Sequence, residues 1–285
     1  MNALKIALVY NPFSGGYCES ALAALESALS SNGHSVSRHD SLHISQSDSL
    51  PDVEAYCLSG GDGTARLVLS NPALRASNAK VCIHPTGTIN LIARELGYPG
   101  APQAMASRLL NQEARQPAYL GTINDEAFLA CVTVGPDSFA VARVSTDLKR
   151  KIGRLAYAVS LLHVLWHWPR PALTVTVDGV DHAAEAVFVA KARFYAGPWS
   201  IDPAAKFTSG LFRILILPRA CRRDFIRFGL YCLTGSRNPS PDWTVLDGKS
   251  VYISGPANIP VQADGDIVAS LPVRLTVDPT PLEFL

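Results

Sequence analysis

Ser59-Gly60-Gly61-Asp62-Gly63-Thr64 runs out of a short apolar stretch, Ala55 to Leu58, into helical spacing carried by Leu67, Val68 and Leu69. Glycines at a strand-to-helix turn let the backbone approach a phosphate closely, and successive N–H groups at the helix start supply a positive field. The turn reads as an anion site. A carboxylate there repels phosphate unless a cation or a proton intervenes, so Asp62 is a candidate Mg2+ contact, through water or phosphate, or a candidate base. Its structural alternative is a turn aspartate that caps the next helix. A second polar turn, His84-Pro85-Thr86-Gly87-Thr88-Ile89-Asn90, places Thr88 and Asn90 where they would contact a nucleotide or cap a helix. A third, Asn11-Pro12-Phe13-Ser14-Gly15-Gly16, ends the first apolar run. Three such turns at the carboxyl ends of successive strands is where open α/β sheets bind ligands.

The elements that must position these turns follow from periodicity. Ala3 to Tyr10 is a continuous apolar run, as expected of a buried parallel strand. Glu19 to Ser31 spaces Leu22, Leu25, Ala28 and Leu29 on one helical face and closes at Asn32-Gly33. His34 to His39, Ala55 to Leu58 and Val81 to His84 read as further strands. Strand, loop, helix in repetition predicts an open parallel α/β sheet over residues 1–118. Beyond Pro117 the pattern changes to short β-rich runs, AFLACVTV, ALTVTVDG, AEAVFVAKA, FRILILP, SVYISG and VRLTVDP, divided by Gly, Pro, Asn and Asp. These predict a β-sandwich over 119–269, interrupted by helices near 150–168 and 219–233, with the tail 270–285 as a candidate return to the first domain.

With 285 residues, 48% of them apolar, the chain can bury a sizeable core, and its net charge of +1 excludes a globally basic nucleic-acid binder. Six scattered cysteines with no CxxC pair form neither a disulfide framework nor a zinc spacing, as expected of reduced thiols in the cytoplasm. The start of the sequence has no signal-peptide pattern, and no apolar run reaches the roughly 18 residues of a spanning helix. GxxxxGK[ST], a compact GxGxxG and GxSxG are all missing, which weakens P-loop, dehydrogenase and α/β-hydrolase readings.

NPFSGG, SGGDGT and HPTGTINLIARELG, in that order, resemble the catalytic domain shared by diacylglycerol, ceramide and sphingosine kinases. Asp202-Pro203-Ala204-Ala205-Lys206 is similar to that family's P-x-A motif, and Val261-Gln262-Ala263-Asp264-Gly265-Asp266 to its late D-G-E motif. The resemblance implies an NAD-kinase/diacylglycerol-kinase-like α/β domain, a sandwich domain, and an active site in the cleft between them. It implies ATP held by Asn11, Pro12, Ser14 and Gly15, by Gly60, Gly61, Asp62, Gly63, Thr64 and Arg66, and by Gly87, Thr88 and Asn90, together with Mg2+. The proton acceptor falls on Asp266, with Asp264 close by and Asp62 as a further candidate; a plain β-turn aspartate is the structural alternative. The implied activity is phosphorylation of the hydroxyl of a membrane lipid, diacylglycerol or a ceramide or sphingoid base. Three departures stand out, one being Arg66-Leu67 in place of the polar and acidic pair that usually follows GGDGT. Leu91 follows Asn90 where the family often has aspartate, and Thr208-Ser209 stand where bacterial members often have paired aspartates of a structural Mg2+ site, so that ion is expected to be absent or weakly held. An NAD-kinase-like soluble nucleotide kinase and an inactive lipid-binding homologue are the rival readings.

Lys149, Arg150, Lys151 and Arg154 precede an apolar helix, and Arg219, Arg222, Arg223 and Arg227 alternate with apolar residues. They predict peripheral association with an anionic membrane or, as the plain alternative, a solvated helix face. Trp166, Trp168 and Trp199 read as core residues, with a lipid entry as the alternative. A homodimer is left open, and no nucleic-acid partner is expected.

Overall fold

The computed structural model describes residues 3–110, 115–144, 155–195, 197–234 and 240–285. The basic cluster Lys149, Arg150, Lys151 and Arg154 lies outside these described residues. The first half builds β1 (Lys5–Tyr10), α1 (Glu19–Ser31), β2 (Ser35–Asp40), α2 (Ser41–Gln46), β3 (Ala55–Gly60), α3 (Asp62–Leu69), α4 (Pro72–Ala76), β4 (Lys80–Pro85), α5 (Leu91–Glu95), α6 (Pro102–Leu110) and β5 (Gln116–Ala118). β2, β1, β3 and β4 are parallel neighbours in that order. Every residue of β3 is buried, which is why Ala55 to Leu58 is apolar without alternation. α1 lays Leu22, Leu25, Ala28 and Leu29 into the core and ends where Gly33 takes a φ of +88°. The strand Leu282–Phe284 then enters this sheet, parallel to β4 and antiparallel to β5.

The second half adds β6 (Gly121–Ile123), β7 (Glu126–Phe128), β8 (Cys131–Val134), α7 (Pro136–Arg143), α8 (Leu155–Trp166), β9 (Leu173–Val177), β10 (Val180–Ala184), β11 (Ala186–Ala190), β12 (Phe194–Tyr195), β13 (Trp199–Ser200), β14 (Phe212–Leu217), α9 (Arg222–Thr234), β15 (Thr244–Gly248), β16 (Ser250–Ser254), β17 (Pro260–Ala263), β18 (Asp266–Ser270) and β19 (Val273–Val277), before the returning strand β20 (Leu282–Phe284). Two six-stranded antiparallel sheets form, β10-β9-β16-β19-β6-β7 and β15-β14-β11-β8-β17-β18, in addition to the two-stranded pair β12-β13. Val175, Val251, Ile253 and Leu275 of one and Val134, Val187, Val189 and Ile214 of the other share a core. The alternate residues of β11 and β14, Phe188 and Leu215, pack instead with Phe225 and Phe228 of α9. β11 is thus buried on both faces, and its run AVFVA carries no polar alternation.

The chain divides into one unit of residues up to Leu120 with Phe207–Gly210 and Asp278–Leu285, and a second of Gly121–Lys206 and Leu211–Val277. The return to the first unit therefore begins at Asp278, while β19 belongs to the sandwich. The core reading of two tryptophans is corrected: Trp166 is 68% and Trp199 43% exposed. All six cysteines are free thiols. Among the described residues no helix is long and apolar enough to cross a membrane.

Candidate active site

The glycine-rich turns leave the ends of β1, β3 and β4 and touch one another. A Cβ added to Gly16 would overlap the Thr86 carbonyl oxygen, and one added to Gly87 would lie 2.5 Å from the Gly61 Cα. Only glycine permits these backbone contacts. Asn11 Oδ1 accepts the Phe13 N–H at 2.9 Å, and the Asn11 carbonyl accepts from Ser14 at 3.2 Å, which closes the first turn on itself. Pro12 and Ser14 are half-buried and Gly15 exposed. Gly60 and Thr64 are buried beneath the second turn, whereas Gly63 at its tip is exposed and Arg66 is half-buried on α3. The N-cap of α3 is Gly61, which has no side chain to cap the first N–H groups of that helix. Such donors at a helix N-terminus suit a phosphate.

Asp62 caps a helix that is not its own. Its two oxygens accept the N–H groups of Leu91 at 2.9 Å and Ile92 at 3.2 Å, at the start of α5. Asn90, the N-cap of α5 by position, takes a left-handed φ of 55° and turns back instead. Its Oδ1 accepts the Gly87 N–H at 2.9 Å, and its Nδ2 donates to the Gly87 carbonyl at 2.7 Å. Asp62 thus joins the second turn to the third, and Asn90 rigidifies the third, while Thr88 stays exposed beside them. Burial pushes the Asp62 carboxyl above the usual carboxylate range, against the opposing pull of the Leu91 and Ile92 N–H groups.

One supporting residue went unread in the sequence. His84 is buried at the end of β4, with Nδ1 at 3.1 Å from Ser59 Oγ and Nε2 at 3.0 Å from the Gly100 carbonyl. A carbonyl only accepts, so Nε2–H donates to Gly100 and Nδ1 accepts the Ser59 hydroxyl proton. The signal was a histidine and a serine at matching ends of adjacent apolar strands; Ser59 and His84 are register partners.

The late motif lies in the second unit. Asp264, at φ 51°, and Gly265, at φ 93°, form the turn between β17 and β18. Asp264 accepts the N–H groups of Leu129 at 2.7 Å, Ala130 at 2.7 Å and Cys131 at 3.1 Å. Those donors are lost to a strand partner, so AFLACVTV, read as one run, is split into β7 and β8. Asp266 opens β18 and is exposed. Asp202 of the P-x-A segment is buried, held by the Ala204 N–H at 2.8 Å and by Arg213 Nε at 2.6 Å, a turn-forming role. Another buried carboxylate, Asp137 at the start of α7, takes hydrogen bonds from the Thr133 hydroxyl at 2.6 Å and the Tyr195 hydroxyl at 3.0 Å; burial raises its carboxyl above the usual range.

No group of three or more His, Cys, Asp or Glu side chains among the described residues is placed to hold a metal. Magnesium keeps several waters and binds through substrate phosphates and one or two carboxylates. Both Asp62 oxygens already accept backbone N–H groups, so the residue fits an ion only through water or a phosphate. Phe207–Gly210 belongs to the first unit, where the Phe207 N–H donates to Glu95 Oε1 at 2.6 Å and its ring packs on Phe284 at 5.3 Å. Thr208 and Ser209 therefore sit in a segment fixed by packing.

Two family models match the chain in succession. The diacylglycerol kinase catalytic domain matches residues 5–123, and the YegS C-terminal NAD kinase beta sandwich-like domain matches residues 130–285. A diacylglycerol kinase of Bacillus subtilis is 23% identical over 277 residues, covering 94% of this chain and 91% of the relative. A probable YegS-like lipid kinase of Pseudomonas aeruginosa is 37% identical over 228 residues, covering 78% and 73%. A solved diacylglycerol kinase structure from Bacillus anthracis has a TM-score of 0.80 at 20% identity, covering 100% of this chain and 98% of that one, a likeness of fold. With both domain families matched in order along the chain, this protein belongs to the lipid kinase family that joins a diacylglycerol kinase catalytic domain to a YegS-type sandwich.

Proposed function

We propose that the protein transfers the γ-phosphoryl group of ATP to the hydroxyl of a membrane lipid, with diacylglycerol the first acceptor to test and ceramide or a sphingoid base next. The observation that carries this reading is the mutual contact of three phosphate-type turns, Gly16 on Thr86 and Gly61 on Gly87, with Asp62 fastening two of them. In the reaction the acceptor oxygen bonds to the γ-phosphorus, the bond to the β,γ-bridging oxygen breaks, ADP leaves, and the hydroxyl proton passes to a carboxylate. Mg2+ bound with ATP would offset the phosphate charge, with Asp62 the residue that would hold it through water or phosphate. Glycine-turn and α3 N–H groups would orient the phosphates, which is most of what phosphoryl transfer asks of a protein. Proton acceptance is assigned to Asp266. It is solvent-exposed at the start of β18, within reach of an acceptor, and it occupies the position that the resemblance gives to the proton acceptor, whereas Asp62 and Asp264 hold backbone N–H groups of neighbouring turns.

The test is incubation with labelled ATP and a panel of diacylglycerol, ceramide, sphingosine and NAD, with products resolved by thin-layer chromatography. Label in a lipid is expected, and the lipid names the substrate. Label in NAD would establish a nucleotide kinase, and ATP binding without any labelled product an inactive homologue.

A further inference from the structure

α8 and α9 each bury one face and leave an apolar stripe on the other. On α8, Ser160 and Val164 face inward, while Val159, Leu162 and Trp166 are 54%, 69% and 68% exposed. On α9, Phe225, Phe228, Tyr231 and Cys232 are buried, while Ile226, Leu230 and Leu233 are 64%, 56% and 58% exposed. Both outer sets recur at intervals of three and four residues, so each is a continuous stripe along its helix. Large apolar side chains grouped this way on a surface mark an interaction site rather than scattered exposure.

Arg222 of α9 ties that helix to α8. The Arg222 guanidinium lies 4.1 Å from the centre of the Trp166 ring and donates to the Leu165 and Trp166 carbonyls at 3.2 and 3.1 Å. Beside this junction is a recess of about 600 Å3, whose lining includes Arg170, Arg219, Arg223, Arg227, Trp166 and Trp168. With Arg222, five arginines line it against two aspartates, Asp224 and Asp242. Asp224 is buried and accepts the Cys221 N–H at 2.9 Å, and Arg170 is paired with Glu185 through two bonds of 2.9 Å. Arg219 and Arg223 are exposed and form no ion pair among the described residues.

We infer that this face, the outer stripes of α8 and α9 with the arginine recess between them, docks the protein on an anionic phospholipid bilayer. Amphipathic helices lie in the membrane interface with their apolar side chains at the headgroup and acyl boundary, and tryptophan favours that depth. Guanidinium groups complement phosphate oxygens with paired donors, so Arg219 and Arg223 meet the lipid phosphates. Charge separates this occupant from a second copy of the chain. A two-fold dimer through the patch would set each arginine-rich recess near its own image, like charge against like. A bilayer carrying negative headgroups supplies the opposite sign instead.

The inference stands apart from the phosphoryl-transfer reading, because it is measured without ATP or turnover. The full chain is sedimented with vesicles of phosphatidylcholine alone and of phosphatidylcholine mixed with phosphatidylglycerol. Binding is expected only to the mixed vesicles and is expected to weaken with salt. Arg219→Gln combined with Arg223→Gln should lower the partition coefficient about 30-fold, about fivefold for each arginine. Leu162→Ser combined with Ile226→Ser should lower it about 100-fold. All four side chains are exposed, so both variants should melt as the parent does. Equal partition onto both vesicle types, or parental partition by the arginine variant, would overturn the inference. So would a Leu162/Ile226 variant that changes a dimer into a monomer by light scattering while its vesicle binding stays parental, since the stripes would then cover a second copy.

Discussion

Asp62 and Asp266 are both aspartates beside a glycine, yet their surroundings predict different consequences of mutation. Asp62 holds the Leu91 and Ile92 N–H groups, so Asp62→Asn keeps the shape but turns an amide donor toward one of those donors. That change should cost about 0.5–2 kcal/mol of stability, the usual range for a helix cap, and lower the melting temperature of a protein that still folds. Asp266 is exposed at the start of β18, so Asp266→Ala should melt as the parent. Its turnover should nevertheless fall about 100- to 10,000-fold with ATP affinity unchanged, as expected for loss of a general base. Parental turnover by Asp266→Ala, together with loss of turnover in Asp62→Asn or Asp264→Ala, would move the base to one of those residues. Asp264→Ala must be read with its melting curve, because three backbone donors lose their acceptor.

At the scale of elements, the ends of β3 and β4 are tied by His84, and this gives the fold a pH dependence of known sign. Burial holds the His84 imidazole below its ordinary value of 6.5, so the folded protein keeps it neutral where the unfolded chain takes a proton. The stability this contributes is complete above the ordinary value and is lost as pH falls below it toward the depressed folded value. His34, whose Nδ1 accepts the Leu4 N–H at 3.2 Å, is shifted by burial in the same direction. Thermal melts recorded from about pH 7.5 to about pH 5.5 should fall, and His84→Gln should give a shallower slope with part of the fall kept by His34. A variant slope equal to the parent's would remove His84 from the linkage.

The molecule as a whole depends on its last residues. Leu282, Phe284 and Leu285 are 2%, 1% and 2% exposed, and β20 fills the place between β4 and β5. Burying three such side chains contributes about 5–9 kcal/mol, comparable to the entire net stability of a typical domain. Deleting residues 278–285 should therefore abolish the cooperative melt of the first unit and expose it to limited proteolysis; an unchanged melt would show that β20 is dispensable. The strand-and-turn order of the first half, the face of α1, the three glycine turns and the change to a β-rich pattern after Pro117 are legible in the residues themselves. Each depends on neighbours within a few residues, through apolar periodicity or the lack of a Cβ. The return of the tail is legible over 270–285, whereas long-range packing sets its strand at Leu282–Phe284 between β4 and β5, makes Asp62 cap a helix 29 residues away, and makes Asp264 split β7 from β8. Tertiary structure also turned Trp166 outward. α9 is apolar on two sides, and periodicity finds such stripes without saying which faces the core, because that choice is made by β11 and β14, elements distant in sequence.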